Sequence, residues 1–175
     1  MLPAFRPDGS VNVIVESPRG SSLKLKYDGN DNVMMLSRPL PSGLAYPHDW
    51  GFIPSTRAAD GDPLDVFIVW DEVSYPGILI PCRVIGVLNV EQTNLGTKRR
   101  ERNDRVAALP LKAPRLEHIT SVFDLQERVR AEIERFFLNA VAFEGKDLQL
   151  VGWEGPHEAD ALVRRAVAPS RAPAR

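Results

Sequence analysis

The 175-residue chain has one cysteine, Cys82, so no intramolecular disulfide can brace it. Cys82 sits in an apolar, strand-like run, where a buried thiol is the expected outcome. No apolar stretch approaches the roughly 18 residues of a membrane span, and the start Met1-Leu2-Pro3-Ala4-Phe5-Arg6 lacks a signal-peptide apolar core. These absences predict a cytoplasmic protein without a membrane partner. An excess of charge of one sign is missing too. The 22 Lys and Arg balance 23 Asp and Glu to a net −1, which gives no compositional reason to expect nucleic acid or an anionic surface as partner. No internal repeat is visible. The length predicts a single domain over 1–168 with a sizeable core, and the Ala-, Pro- and Arg-rich tail 169–175 is expected to be disordered.

What the chain does have is an acidic knot. Asp60-Gly61-Asp62-Pro63-Leu64-Asp65 places three carboxylates within six residues and runs into Val66-Phe67-Ile68-Val69-Trp70. Carboxylates this close repel one another until one is protonated or a cation sits between them. Oxygen ligands of this kind suit Mg²⁺, Mn²⁺ or Ca²⁺. An EF-hand loop is excluded, because its Gly at position six and Glu at position twelve are absent. Gly61 permits a tight turn, Pro63 restrains the chain and Asp65 opens a strand, so the three side chains are expected to converge where loop meets sheet.

Around the knot the pattern is one of short strands. Val11, Val13 and Val15 alternate with more polar neighbours, and Leu23, Leu25 and Tyr27 alternate with Lys24 and Lys26, which therefore share a face. Asp28-Gly29-Asn30-Asp31-Asn32 predicts a hairpin turn into Val33-Met34-Met35-Leu36. Further strands are expected at 65–70, 78–90, 105–109 and 147–153, with Pro81 marking an edge or bulge. Ser121 and Asp124 form a capping-box pattern, after which Leu125, Val129, Ile133 and Phe136 fall on one helical face. A second short helix is expected over about 158–167. Many strands followed by two helices predict an α+β domain on a small sheet or barrel.

The acidic stretch resembles the signature of soluble family I inorganic pyrophosphatases, Asp-Gly-Asp-Pro-apolar-Asp followed by an apolar strand. Tyr46-Pro47-His48-Asp49-Trp50-Gly51-Phe52-Ile53-Pro54 is similar to the family's Tyr-Pro-x-Asn-Tyr-Gly-Tyr-Ile segment. Val13 to Pro18, Ser37-Arg38, Gly77 to Val90, the surroundings of Asp104 and Val151-Gly152-Trp153-Glu154 extend the likeness over residues 11–167. The resemblance implies a five-stranded OB-like β-barrel flanked by two α-helices. It also implies Mg²⁺-dependent hydrolysis of pyrophosphate, with Mn²⁺ or Zn²⁺ as other ions, by a homo-oligomer of hexameric type. By motif position it implies Asp62 as the carboxylate that takes the proton from water. Glu16, Asp60, Asp65 and Asp104 are then metal ligands, and Lys24, Arg38, Tyr46 and Arg105 hold phosphate.

Departures from the family pattern are concentrated at the same place. Lys26 stands where the family has Glu, Gln92 where it has a carboxylate, and Asn103-Asp104-Arg105 where it has Asp-x-Lys. Trp50 replaces a Tyr, and Ala140-Val141 replaces a Tyr-Lys pair. Fewer ions and slower turnover, a shift to another phosphoanhydride, or an idle site are the expectations these changes raise. Lys98-Arg99-Arg100-Glu101-Arg102 suggests a different function, in which a basic loop tracks single-stranded nucleic acid while Trp50 or Phe52 stacks bases. A solvated loop or subunit contact is the favoured reading of that segment. His48 is read as structural, and His118 and His157 as surface residues.

Overall fold

The computed structural model describes residues 2–167; the tail expected to be disordered lies outside them. Nine strands and two α-helices follow in order: β1 (Val11–Ser17), β2 (Leu23–Asp28), β3 (Val33–Pro39), β4 (Asp49–Ile53), β5 (Leu64–Ile68), β6 (Leu79–Thr93), β7 (Arg100–Arg102), β8 (Arg105–Pro110), α1 (Glu127–Ala140), β9 (Gln149–Glu154) and α2 (Pro156–Ala166). Hydrogen bonding runs β1-β4-β5-β8-β6 and returns from β6 to β1, so five strands close a ring flanked by the two helices. Only the β5–β8 contact is parallel, with Val66 opposite Val106. The fold is the expected α+β arrangement.

Residues alternate along each ring strand, yet both faces are buried. Val66 and Ile68 join Val13, Val15, Val106 and Ala108 in one apolar cluster, which α2 completes with Val163 and Ala166. Phe67 and Val69 point the other way, into a second cluster with Trp50, Leu109 and the Ile133, Phe136 and Phe137 side chains of α1. The unbroken apolar run Val66 to Val69 is thus the mark of a strand covered on both sides. The buried Ile133, Phe136, Phe137 and Ala140 of α1 keep the three-and-four spacing of a helix face, and Pro156 occupies the first turn of α2, where its missing N–H costs nothing.

Several local readings need adjustment. The capping box at Ser121 and Asp124 is formed, but it opens a 3-10 turn over Val122–Asp124, and α1 begins only at Glu127. Strand β4 was not foreseen, because Asp49-Trp50-Gly51-Phe52-Ile53 is buried throughout and shows no alternation. Pro81 lies in a strand paired on both sides rather than at a sheet edge. Its carbonyl accepts from the N–H of Leu111, just past the end of β8, so the donor it lacks would face the point where its partner strand stops.

Gly51 is the tightest backbone contact in the ring. It pairs with Val15, and a Cβ built on it would lie 1.9 Å from the carbonyl oxygen of Ile14. No side chain fits there without parting β1 from β4. Gly51→Ala is expected to cost about 3 kcal/mol, the upper end of the overpacking range, and to lower the urea midpoint by roughly 1–2 M. An unchanged midpoint would show that the two strands can separate freely.

Candidate active site

One cavity collects the residues that carry charge. Its wall is made by Glu16 from the end of β1, Lys24, Lys26 and Tyr27 from β2, Trp50 and Phe52 from β4, Asp60, Asp62 and Pro63 from the β4–β5 turn, Asp65 from β5, Gln92, Asn103 and Lys146. The convergence follows from the folding of the β2–β3 ribbon, a separate two-stranded sheet, over the mouth of the ring. Ser17 Oγ accepts from the N–H of Leu25 (2.9 Å) and Glu16 Oε1 from the N–H of Tyr27 (2.8 Å), which lays β2 along the end of β1. Within the acidic turn, Asp60 Oδ1 accepts from the N–H of Asp62 at 3.1 Å and Gly61 takes φ of 91°, so the turn depends on a glycine.

Two cations of the chain are already committed to these carboxylates. Lys26 Nζ donates to Asp62 Oδ2 at 2.7 Å. A guanidinium nitrogen of Arg105 meets Asp65 Oδ2 at 2.5 Å and Asn103 Oδ1 at 2.9 Å. The Arg105 guanidinium carbon stands 5.2 Å from the Trp50 ring centroid and 5.0 Å from that of Phe137. That cation is therefore fixed between aromatic faces with its charge directed at the site.

The sequence and the fold are closely similar to those of known proteins. The family model described as inorganic pyrophosphatase matches residues 13–170. An inorganic pyrophosphatase of Synechocystis is 36% identical over 166 residues, covering 95% of both chains, and one of Thermus thermophilus is 37% identical over 161 residues, 90% of this chain and 89% of its own. The chain belongs to the inorganic pyrophosphatase family. The crystal structure of the Thermus thermophilus inorganic pyrophosphatase superposes with a TM-score of 0.87 at 35% identity, over 95% of this chain and 94% of that one. That of the Coxiella burnetii inorganic pyrophosphatase gives 0.86 at 29%, over 95% and 98%.

Inorganic pyrophosphatases of this family depend on metal, and the donors present suit a hard ion: Glu16, Asp60, Asp62 and Asp65 offer oxygen only. Burial, then the neighbouring Asp65 carboxylate, push Glu16 up to about 7 against the pull of the Tyr27 N–H. Burial and the Asp65 and Asp62 charges raise Asp60 likewise. Both are carboxyls whose ionised form a cation would stabilise. Among the described residues no three His, Cys, Asp or Glu side chains stand close enough together to hold an ion by themselves.

The remaining residues singled out from the sequence divide between the cavity and its surroundings. Lys24 lines the cavity, and burial lowers its pKa despite the Asp65 charge. Tyr46 is 5% exposed, its ring packed 4.8 Å from that of Phe136, and burial pushes its hydroxyl up to about 12. Arg38 is tied to the end of α1, donating to the Ala140 carbonyl at 2.8 Å and meeting Glu144 at 3.4 Å. The Ala140-Val141 segment that cannot bind phosphate thus supplies a backbone oxygen for Arg38 instead. Asp104 is turned away: its Oδ1 accepts from the N–H of Val90 at 2.9 Å, its carboxylate pairs with Arg102, and it lines a different hollow with Arg57 and Arg165. Asn103 faces the cavity in its stead. Lys146 was not singled out. It follows α1 in a loop with no strand alternation to mark its direction, and a lysine near the lost Tyr-Lys pair was the one available sign.

The basic segment 98–102 forms part of the β6–β7 hairpin, where Arg100 pairs with Asp147 and Arg102 with Asp104. Trp50 and Phe52, 4% and 8% exposed, are walls of the core rather than stacking platforms. His118 and His157 are exposed. His48 is enclosed, its Nδ1 3.4 Å from the Trp70 carbonyl oxygen. Burial lowers its pKa below the ordinary 6.5, the carbonyl and the Asp71 and Asp49 charges oppose this, and Arg19 reinforces it. Below 6.5 the unfolded chain takes up a proton that the folded one refuses. Stability is therefore full above that pH and lost as pH falls towards the depressed folded value. Urea midpoints measured from pH 7.5 to 5 should drop less in His48→Gln than in the wild type, whereas parallel curves would mean that His48 charges freely in place.

Proposed function

We propose that this protein hydrolyses inorganic pyrophosphate to two phosphates in the cytoplasm, with Mg²⁺ as the activating ion and Mn²⁺ or Zn²⁺ as substitutes. The observation that carries this reading is the meeting of Glu16, Asp60, Asp62 and Asp65 with Lys24, Lys26 and Lys146 in one cavity of an inorganic pyrophosphatase fold. Asp60, Asp65 and Glu16 would share in holding the ion. When bound, the ion supplies positive charge against the phosphoryl oxygens and lowers the pKa of water.

The chain's own residues supply the rest. Lys24 and Lys146 receive phosphate oxygens through ammonium groups that have no partner among the described residues. Tyr46, held neutral by burial, can donate a hydrogen bond but not charge. Arg38, braced on Ala140 and Glu144, sets a second cation beside Lys24, directly opposite it in the β2–β3 ladder. Asp62 accepts the proton of the attacking water once Lys26 has moved from its Oδ2 to the substrate. Arg105 acts from beneath by holding Asp65 in place. Asp104, facing Arg102, has no part in this reading.

Two features favour a slower enzyme, or one shared with other phosphoanhydrides. Gln92 and Asn103 present amides in place of carboxylates, and Lys26 presents a cation in place of a carboxylate. A homo-oligomer of hexameric type also belongs to this reading. Val33, Met35 and Leu36 on the ribbon are all more than 45% exposed, an apolar surface that suits closed association.

Phosphate release should be measured over pyrophosphate, short polyphosphate and nucleoside triphosphates with each of the three ions. Release from pyrophosphate with Mg²⁺ is expected, as is its loss in EDTA. Asp62→Asn should reduce turnover by about 10² to 10⁴, the worth of a general base. Undiminished turnover in that variant would remove Asp62 from its role, and turnover in EDTA would remove the metal. Light scattering at micromolar concentration should give a mass several times 19.5 kDa; a monomer would overturn the assembly.

A further inference from the structure

Resting on the reading of this cavity as the pyrophosphate site, we propose that Lys26 and Arg105 are resident counter-ions of the acidic cluster. Because of them, the cavity binds a diphosphate anion without a divalent cation.

The pairing pattern comes first. Of the four carboxylates at the site, Asp62 is taken by Lys26 at 2.7 Å and Asp65 by Arg105 at 2.5 Å. Arg105 also joins Asp65 to Asn103 through one nitrogen, so a cation of the protein already bridges two side-chain oxygens at the site. Its side chain is 7% exposed and wedged against Trp50 and Phe137, and its Nε finds no partner. Such a group does not swing aside for an incoming ion. Lys26 does: its side chain is 51% exposed, and its only side-chain bond among the described residues is to the 57% exposed Asp62.

The groups left over favour an anion. Lys24 and Lys146 line the cavity with no hydrogen bond or ion pair from either ammonium among the described residues. Lys24 stands directly opposite Arg38 across the ribbon, and of the two only Arg38 has an acidic partner among the described residues, Glu144 at 3.4 Å. Four carboxylates are thus met by four cations, counting Arg105 beneath the floor. An acidic pocket without resident cations repels a diphosphate until metal arrives, whereas this one meets it with as many cations as carboxylates and with the Lys24 and Lys146 ammonium groups free of partners among the described residues. A divalent ion, by contrast, has to compete with Lys26 for Asp62. Lys26 accordingly exchanges between two partners, the Asp62 carboxylate and the substrate phosphate.

Calorimetry of pyrophosphate binding in EDTA and of Mn²⁺ binding without pyrophosphate tests this on the full chain. The wild type is expected to bind pyrophosphate in EDTA. Lys26→Met should weaken that binding about tenfold and strengthen Mn²⁺ binding by a similar factor, the scale of one partly screened charge pair. Lys26→Gln, which keeps a polar end, should shift both in the same directions. Arg128→Met, which removes an exposed charge on α1, should move neither. Shifts of opposite sign for anion and cation are what a merely structural lysine would not produce. Absence of pyrophosphate binding in EDTA, or losses of both affinities together in the Lys26 variants, overturns the proposal. Phosphate release with Mg²⁺ but no binding in EDTA would sink this inference alone. Binding in EDTA without phosphate release in Mg²⁺ would sink the hydrolase reading and leave this one standing.

Discussion

The constraint on which the rest depends is the placement of Arg105. It opens β8, belongs to the ring, and has one side against Trp50 and Phe137 of the apolar cluster beneath α1. Its other side is the floor of the cavity, at Asp65 and Asn103. A buried guanidinium is tolerable only where oxygen partners and aromatic faces replace lost water. Core and site each supply half of that replacement. Trp50 is consequently both a packing residue and a wall of the cavity, and the change from Tyr to Trp suits a broader cation than an ammonium. Asp65 lies in β5, registered opposite Phe52 of β4, and its carboxylate is held by the same Arg105 contact.

The fold was legible where residue type alternates or repeats along the chain. Alternation in Val11 to Val15 and Leu23 to Tyr27, the turn at Asp28 to Asn32 and the helix face ending at Phe136 all correspond to elements present; the apolar helix face is the covered one, whereas β1 is buried on both faces and Leu23 of β2 is exposed. Strand β4 was illegible for the opposite reason. It is buried on every side, with Asp49 accommodated by the Arg19 N–H at 2.7 Å and Trp70 Nε1 at 2.8 Å, so its charge says nothing about exposure. The late start of α1 is similar in kind: a capping box identifies satisfied donors, not how many turns follow.

At the site, spacing conveyed which residues converge but not which way each one turns. Glu16, Lys24, Asp60, Asp62 and Asp65 share the cavity. Asp104 and Asn103 could not be told apart, since adjacent residues at a strand entry face opposite ways and the parity is fixed only by the register of β8 on β5 and β6. Arg38 was drawn off by a backbone carbonyl more than a hundred positions away, a partner that no side-chain pattern encodes. Lys146 entered through the loop behind that same helix.

The ribbon of β2 and β3 shares no ladder with the ring. Its attachments include the bonds of Glu16 to the Tyr27 N–H, of Ser17 to the Leu25 N–H and of Lys26 to Asp62, two of which are made by residues of the cavity itself. The ribbon is thus latched to the ring in part by groups that line the cavity. Local opening of the ribbon and occupancy of the cavity are linked equilibria: whatever binds there only in the closed form, at free concentration c, suppresses the opening by RT ln(1 + c/Kd). Backbone amide exchange along Leu23–Asp28 is accordingly a gauge of occupancy, written in hydrogen and deuterium rather than in phosphate.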